Sequence, residues 1–295
     1  MEQQEQTLQY FKSNAQAWQS NAINNNYSLV QNRHNAVISV IDNSENVTAL
    51  LDVGCGTGQL VIQTAQRGIQ SHGIDFAEEM IAVCKKNQGI ANTNAQFECA
   101  SFFDAHLEEK YYDIISAQGF IEYITLPQLD LFFSKCFSAL KNGGSLVVGS
   151  RNRLFNLHSM NEFTKLEVQH GTILNLLSEA SILHTSATQE EAITALSMLE
   201  RIDPQLNSHP NTGDLTVDTR YQFSPADLIY RAKHHGFEPK MIFPVHFHAF
   251  PINSIAENNL KNLHNWIAKI FSEEKICDHR LVPFSSSFVL QLLKP

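Results

Sequence analysis

No Cys-x-x-Cys pair occurs among the five cysteines, Cys55, Cys84, Cys99, Cys136 and Cys277. An odd, scattered set argues against a disulfide framework and fits reduced thiols. Basic residues are scarce: 21 Lys and Arg stand against 30 Asp and Glu in 295 residues, a formal net charge of −9. That balance repels polyphosphate over most of the surface, so nucleic acid is an unlikely partner. No apolar run nears the roughly 20 residues that span a bilayer. Residues 1–5 lack both the basic and the apolar parts of a secretory leader, and a cytoplasmic protein is expected. No sequence period recurs, which excludes solenoids and propellers. What is present is 43% hydrophobic residues, 19 of all residues being Phe, enough for one large packed body.

Residues 1–45 are rich in Asn and Gln and carry two helical stripes. Leu8, Phe11, Ala15 and Trp18 form the first, and Val30, Val37, Ile38 and Ile41 the second. From residue 47 the pattern changes to short apolar runs alternating with amphipathic helices. Strands are expected at 47–53, 71–74, 96–99, 112–116, 145–150, 240–247 and 286–293. Helices are expected at 59–67, 77–87, 129–140, 225–235 and 255–271. This alternation predicts an α/β, doubly wound, seven-stranded and mostly parallel sheet. It fails between residues 151 and 220, where 154–178 and 189–199 read as helical and 203–218 as polar and turn-rich. Four regions follow: a helical N-terminal lid (1–45), a ligand-binding core (46–150), a helical cap inserted after the fifth strand (151–220) and the rest of the sheet (221–295).

The sharpest motif is Asp52-Val53-Gly54-Cys55-Gly56-Thr57-Gly58, which ends an apolar strand and opens a helix. Glycines there allow a tight turn and close approach of a ligand to the backbone. Asp75 closes the next strand, where a carboxylate can accept from both hydroxyls of a ribose. A dinucleotide loop would read GxGxxG, but Gln59 stands at its third glycine position. The Asp-x-Gly-x-Gly-x-Gly form instead resembles motif I of the class I S-adenosylmethionine-dependent methyltransferases. The resemblance continues in order through Gly73–Met80, Cys99–Asp104, Tyr112–Ile124 and the Leu140-Lys141-Asn142-Gly143-Gly144 turn.

The resemblance implies S-adenosylmethionine as cofactor. It assigns Asp52, Gly54, Cys55, Gly56 and Gly58 to the loop, Asp75 to the ribose, and Phe76, Met80, Ser101 and Phe102 to the adenine end. The family often has an acid at the position of Ser101, and serine is a weaker acceptor. Gln118, just past the fourth strand, is assigned to the cofactor as well, and Arg33 in the lid is expected to pair with the methionine carboxylate. For the acceptor side the candidates are Glu122 and Tyr123 after the fourth strand, His246 late in the chain and Tyr27 in the lid. His246 with His248, or Cys277 with His279, hints at a metal, but neither pair has a third ligand in the sequence, so no metal is expected. Lid and cap together suit an enclosed small molecule, a sugar or specialised metabolite, methylated on O or N. A tRNA or protein acceptor, an NAD-dependent oxidoreductase and a non-catalytic cofactor-binding protein are the alternatives, and a homodimer is a candidate assembly.

Overall fold

A computed structural model describes residues 5–13, 29–199, 203–206, 220–252 and 260–295. Its centre is a seven-stranded sheet. The strands are β1 (Ala49–Val53), β2 (Gln70–Asp75), β3 (Gln96–Cys99), β4 (Tyr112–Gln118), β5 (Leu140–Arg151), β8 (Glu238–Phe247) and β9 (Ser285–Leu293), in the order β3-β2-β1-β4-β5-β9-β8. β9 runs antiparallel to both neighbours; all other pairings are parallel. β6 (Gln205–Leu206) and β7 (Tyr221–Gln222) form a separate two-stranded ribbon.

Every residue of β1 is buried, as expected of a central parallel strand covered on both faces. On one face pack α2 (Leu29–Asp42) and α3 (Gln59–Gln66), where Ala36, Val37, Val40 and Leu60 meet Leu50, Ile114, Val147 and Phe243. The opposite face carries the larger core, with Phe132 and Phe133 of α5 (Leu126–Ala139) fully buried. Removing a Phe side chain from water contributes about 1.5–3 kcal/mol. α4 (Glu78–Ala91) links β2 to β3.

Boundaries depart from expectation where caps and turns act. α5 starts three residues earlier than predicted because Thr125 and Gln128 form a capping box with Pro127 in the first turn. β5 begins at Leu140 rather than 145, since Leu140 already pairs with Tyr112 and the ladder resumes at Ser145 opposite Ile114 after an irregularity that spans Lys141–Gly144. The single helix expected over 154–178 is broken into α6 (Asn156–Ser159), α7 (Glu162–Gln169) and α8 (Ile173–Thr185). Met160 and Gly171 take left-handed φ of +49° and +72°, and Asn161 caps α7. α9 (Gln189–Leu196) and α10 (Pro225–His234) follow, the latter capped by Ser224 as its sequence predicts. Of the helix expected at 255–271, residues 255–259 lie outside the described residues, and α11 spans Lys261–Glu274.

The region after β5 divides between two tasks. Leu176 and Leu183 of α8, and Ala192, Ile193 and Leu196 of α9, join the main core, so these helices thicken the body. Asn152, Phe155 and Arg220 reach the cavity described below, and so do α6, the start of α7 and the loop between them. A buried pair anchors them: Arg153 donates to both carboxylate oxygens of Glu167 at 2.9 Å, and Asn156 Nδ2 donates to the same carboxylate and to Gln222 Oε1. At the other end of the chain, residues 5–13 form a helix, α1, whose Leu8 and Phe11 pack on Ala77, Met80 and Phe76.

Candidate active site

The carboxyl ends of β1, β2 and β4 open into a cavity of about 920 Å³. Doubly wound sheets bind ligands at this edge. Gly54 and Gly56 hold φ of +68° and +55°, a conformation that costs a side-chain-bearing residue about 1–2 kcal/mol. A Cβ on Gly56 would meet nothing within 4 Å, because the loop there faces open cavity. Gly58 does different work from its two neighbours. It is absent from the cavity wall, and a Cβ on it would stand 2.8 Å from the Phe97 ring and 2.9 Å from Cys84 Sγ. Its φ of +81° and its packing at the start of α3 both require glycine there.

Asp75 sits at the rim with its carboxylate accepting from the Gly56 N–H (3.0 Å) and the Ala77 N–H (2.9 Å). Burial pushes its pKa up to about 6 against the pull of these backbone donors. Asp52, beneath the loop, is pushed to about 7 by burial and by the nearby charge of Asp75, opposed by a hydrogen bond to Ser116. Cys55 lines the same wall. Its thiol is pushed well up by a hydrogen bond with the Cys84 thiol and by burial, which makes it inert. Phe76, Met80, Ser101 and Phe102 line one end, with Phe102 packed edge-on against Phe103 and Phe120. Gln118 lines the floor; its Nε2 donates to the Val147 carbonyl at 2.9 Å, and its buried Oε1 has no partner.

A family model described as a methyltransferase domain matches residues 50–144. Residues 50–144 thus match a methyltransferase domain, and the fold is that of class I S-adenosylmethionine-dependent methyltransferases. Over 180 residues it is 29% identical to a ubiquinone biosynthesis O-methyltransferase of Coxiella burnetii, covering 59% of this chain and 74% of that one. Its match to the enzyme of that name from Nitrobacter winogradskyi is 32% identical over 104 residues, 35% of this chain and 39% of the relative. Most such matches span less than half of the relative's length. Magnesium protoporphyrin IX methyltransferase from Synechocystis, solved with S-adenosylhomocysteine bound, shares the fold at TM-score 0.56 and 16% identity over 98% of both chains. The family's cofactor is S-adenosylmethionine, and the residues here suit it: an open glycine cradle, a rim carboxylate, and an apolar end formed by Phe76, Met80 and Phe102.

The wall beyond Phe76, Met80 and Phe102 gathers residues of α2, the end of β5 and the residue before β7 around one carboxylate. Glu122, on the short helical turn Ile121–Tyr123, is 2% exposed. Its Oε1 accepts from Arg33 Nη2 and from the Arg151 N–H, both at 2.9 Å, and Arg220 Nε lies 3.6 Å from Oε2. Burial raises the Glu122 pKa, but Arg33, Arg220 and Arg151 outweigh it and the net direction is down. A carboxylate held ionised by three guanidinium groups makes a poor proton acceptor, which argues against Glu122 as a catalytic residue on the acceptor side. Tyr123 also lines the cavity, but burial pushes its hydroxyl to about 12; it serves as a surface for Phe11 and for the Arg220 guanidinium, 5.5 Å from each.

Arg33 of α2 lines the cavity, although its Nη2 is spent on Glu122 and on Ser287 Oγ at 2.8 Å. His246 is not: it lies behind the wall, bonded through Nδ1 to Ser286 Oγ at 2.7 Å. Tyr27 lies outside the described residues. Sequence reasoning missed His34, which lines the cavity with a pKa lowered to about 4 by burial and by Arg33. It also gave no chemical role to Arg220, whose charge is hidden in a polar stretch without periodicity.

Behind the wall the third ligand absent from the sequence reading is present. His264 of α11 stands beside His246 and His248, and the ligand nitrogens of all three lie within 4.8 Å of one another. This overturns the reason for expecting no metal.

Proposed function

We propose that the chain transfers the methyl group of S-adenosylmethionine to an oxygen or nitrogen of a small molecule that carries an anionic group. The observation that carries the reading is the excess of guanidinium at the wall: Arg33, Arg151 and Arg220 face a single carboxylate, Glu122. Arg151 Nη1 has no hydrogen-bond partner, and burial together with Arg220 lowers its pKa to about 10, still protonated at neutral pH. One guanidinium suits the methionine carboxylate; the others suit an anion on the acceptor.

The cofactor supplies an electrophilic sulfonium methyl when bound. The protein's own part is orientation and exclusion of water. With the cofactor bound, Asp75 would accept from the ribose hydroxyls, and Met80 and Phe102 would flank the base. Arg33, on α2, would meet the methionine carboxylate. Arg151 and Arg220 hold the acceptor's anion, and Phe11, Tyr123 and Phe163 close the cavity over it. No histidine with a pKa near neutrality lines the cavity among the described residues. This favours an amine or an acidic hydroxyl, which needs little help from a base. The shared core with ubiquinone biosynthesis O-methyltransferases supports a hydroxyl acceptor.

A direct test incubates the protein with metabolite extracts and isotopically labelled S-adenosylmethionine and separates products by anion exchange. The expected product is retained on the column. Arg151→Gln and Arg220→Gln should cut its formation about 10- to 100-fold, the worth of one charge-assisted hydrogen bond, while leaving cofactor affinity nearly unchanged. A neutral product, or no product from any extract, would contradict the reading.

A further inference from the structure

The histidine cluster behind the cavity is assembled from two elements far apart in their local structure. His246 is in the last residues of β8, His248 follows the strand, and His264 lies in the first turn of α11. The ring centroids of His246 and His248 are 4.5 Å apart, and those of His248 and His264 4.7 Å. His248 is 7% exposed and His264 4% exposed. Both ring nitrogens of His248, and Nδ1 of His264, have no hydrogen-bond partner. Leaving a buried polar nitrogen unsatisfied costs about 1–3 kcal/mol, and here one ring nitrogen from each of the three histidines lies within 4.8 Å of the others.

The backbone also bends toward this arrangement. His246 holds φ at +62°, in the left-handed region that costs a non-glycine residue about 1–2 kcal/mol. Its Nδ1 lies 2.7 Å from Ser286 Oγ. A hydrogen bond from one imidazole nitrogen to an outer partner fixes the tautomer and aims the other nitrogen, the arrangement seen around metal-ligating histidines.

We propose that His246, His248 and His264 bind a divalent transition-metal ion of the zinc class. Three imidazoles without carboxylate or thiolate suit zinc, cobalt or nickel, and not calcium or magnesium, which demand oxygen. Nitrogens on a tetrahedral zinc lie roughly 3.4 Å apart for bonds of about 2.0–2.1 Å, so ring rotations of modest size close the observed span. The ion joins the end of β8 to α11. It also steadies the cavity wall, because Ser286, bonded to His246, and Phe155, 4.6 Å from the His248 ring, both line the cavity. The site stands apart from the glycine loop and from Asp75, so it is independent of the cofactor reading.

The test uses full-length protein with any affinity tag removed, purified without chelator. Elemental analysis is expected to find about one zinc-class ion per chain, and cobalt titration of the stripped protein should give the visible bands of a low-coordinate cobalt site. His248→Gln and His264→Gln should each weaken cobalt binding by more than about 100-fold. Ser286→Ala, which removes only the outer partner, should weaken it about 10- to 100-fold. His184→Gln, on the exposed end of α8, should change nothing. Wild-type protein that binds no cobalt, or His264→Gln that binds it like wild type, would overturn the proposal whatever the variants do to folding. Calorimetry with S-adenosylmethionine on the same samples separates this outcome from failure of the methyltransferase reading.

Discussion

Asp75→Ala should lower affinity for S-adenosylmethionine by about 100-fold or more while leaving the melting temperature nearly unchanged. A carboxylate accepting from two hydroxyls makes two charge-assisted hydrogen bonds, each worth about 1.5–3 kcal/mol. The same carboxylate gives the folded protein little at neutral pH, because burial raises its pKa from 3.8 to about 6. With the folded value raised, the native state holds the proton more tightly than the unfolded chain. The stability contributed by this group is therefore present below about pH 4 and is lost as the pH rises through about 6. Ligand linkage has the opposite sign. Ribose hydroxyls stabilise the ionised form, so cofactor affinity should be flat above pH 7 and should fall as the pH drops through about 6. Asp75→Asn keeps an oxygen for the Ala77 N–H and should bind weakly with no such pH dependence. Calorimetric titration from pH 5 to 8 checks both; a wild-type affinity independent of pH over that range would remove Asp75 from the ribose contact.

Glu122→Ala is expected to be the most damaging single change at the cavity. The variant leaves Arg33, Arg151 and Arg220 facing one another with no carboxylate among them. Removing one partner of a buried ion pair costs about 3–5 kcal/mol. For a chain of this size that corresponds to a fall in melting temperature of roughly 6–20 °C. Glu122→Gln preserves the acceptor for Arg33 and the Arg151 N–H and should lose less. A catalytic base would behave differently: Glu122→Gln would abolish turnover while both variants melted like wild type. Differential scanning calorimetry of the two variants, with turnover measured on the acceptor found in extracts, separates the roles.

The first half of the sheet was legible because its signals are local. The β1 run, the glycine loop and Asp75 lie within 27 residues, and each carries its own periodicity or turn chemistry. Even there, three glycines that look alike in sequence divide into two that face the cavity and one, Gly58, that makes room for Phe97 and Cys84. The cap was legible only in outline. The helices of 151–196 show apolar stripes, but whether a stripe meets a cavity or a core depends on partners such as Leu176 and Val282, which are distant in sequence and meet in one core. The arginine cluster and the third histidine were illegible for the same reason. Arg33, Arg151 and Arg220 come from a lid helix, a strand end and a loop, and His264 from a helix after residues 253–259. Single polar residues at such positions have no pattern of their own, and only the return of the chain along β7, β8 and α11 brings them together.

The central claim is that the Gly54–Gly56 loop and Asp75 hold S-adenosylmethionine. Parallel calorimetric titrations of the wild-type protein with S-adenosylmethionine, S-adenosylhomocysteine and NAD test it most directly. The account predicts saturable binding of the first two and none of NAD. Binding of NAD alone, or of none of the three, would contradict it.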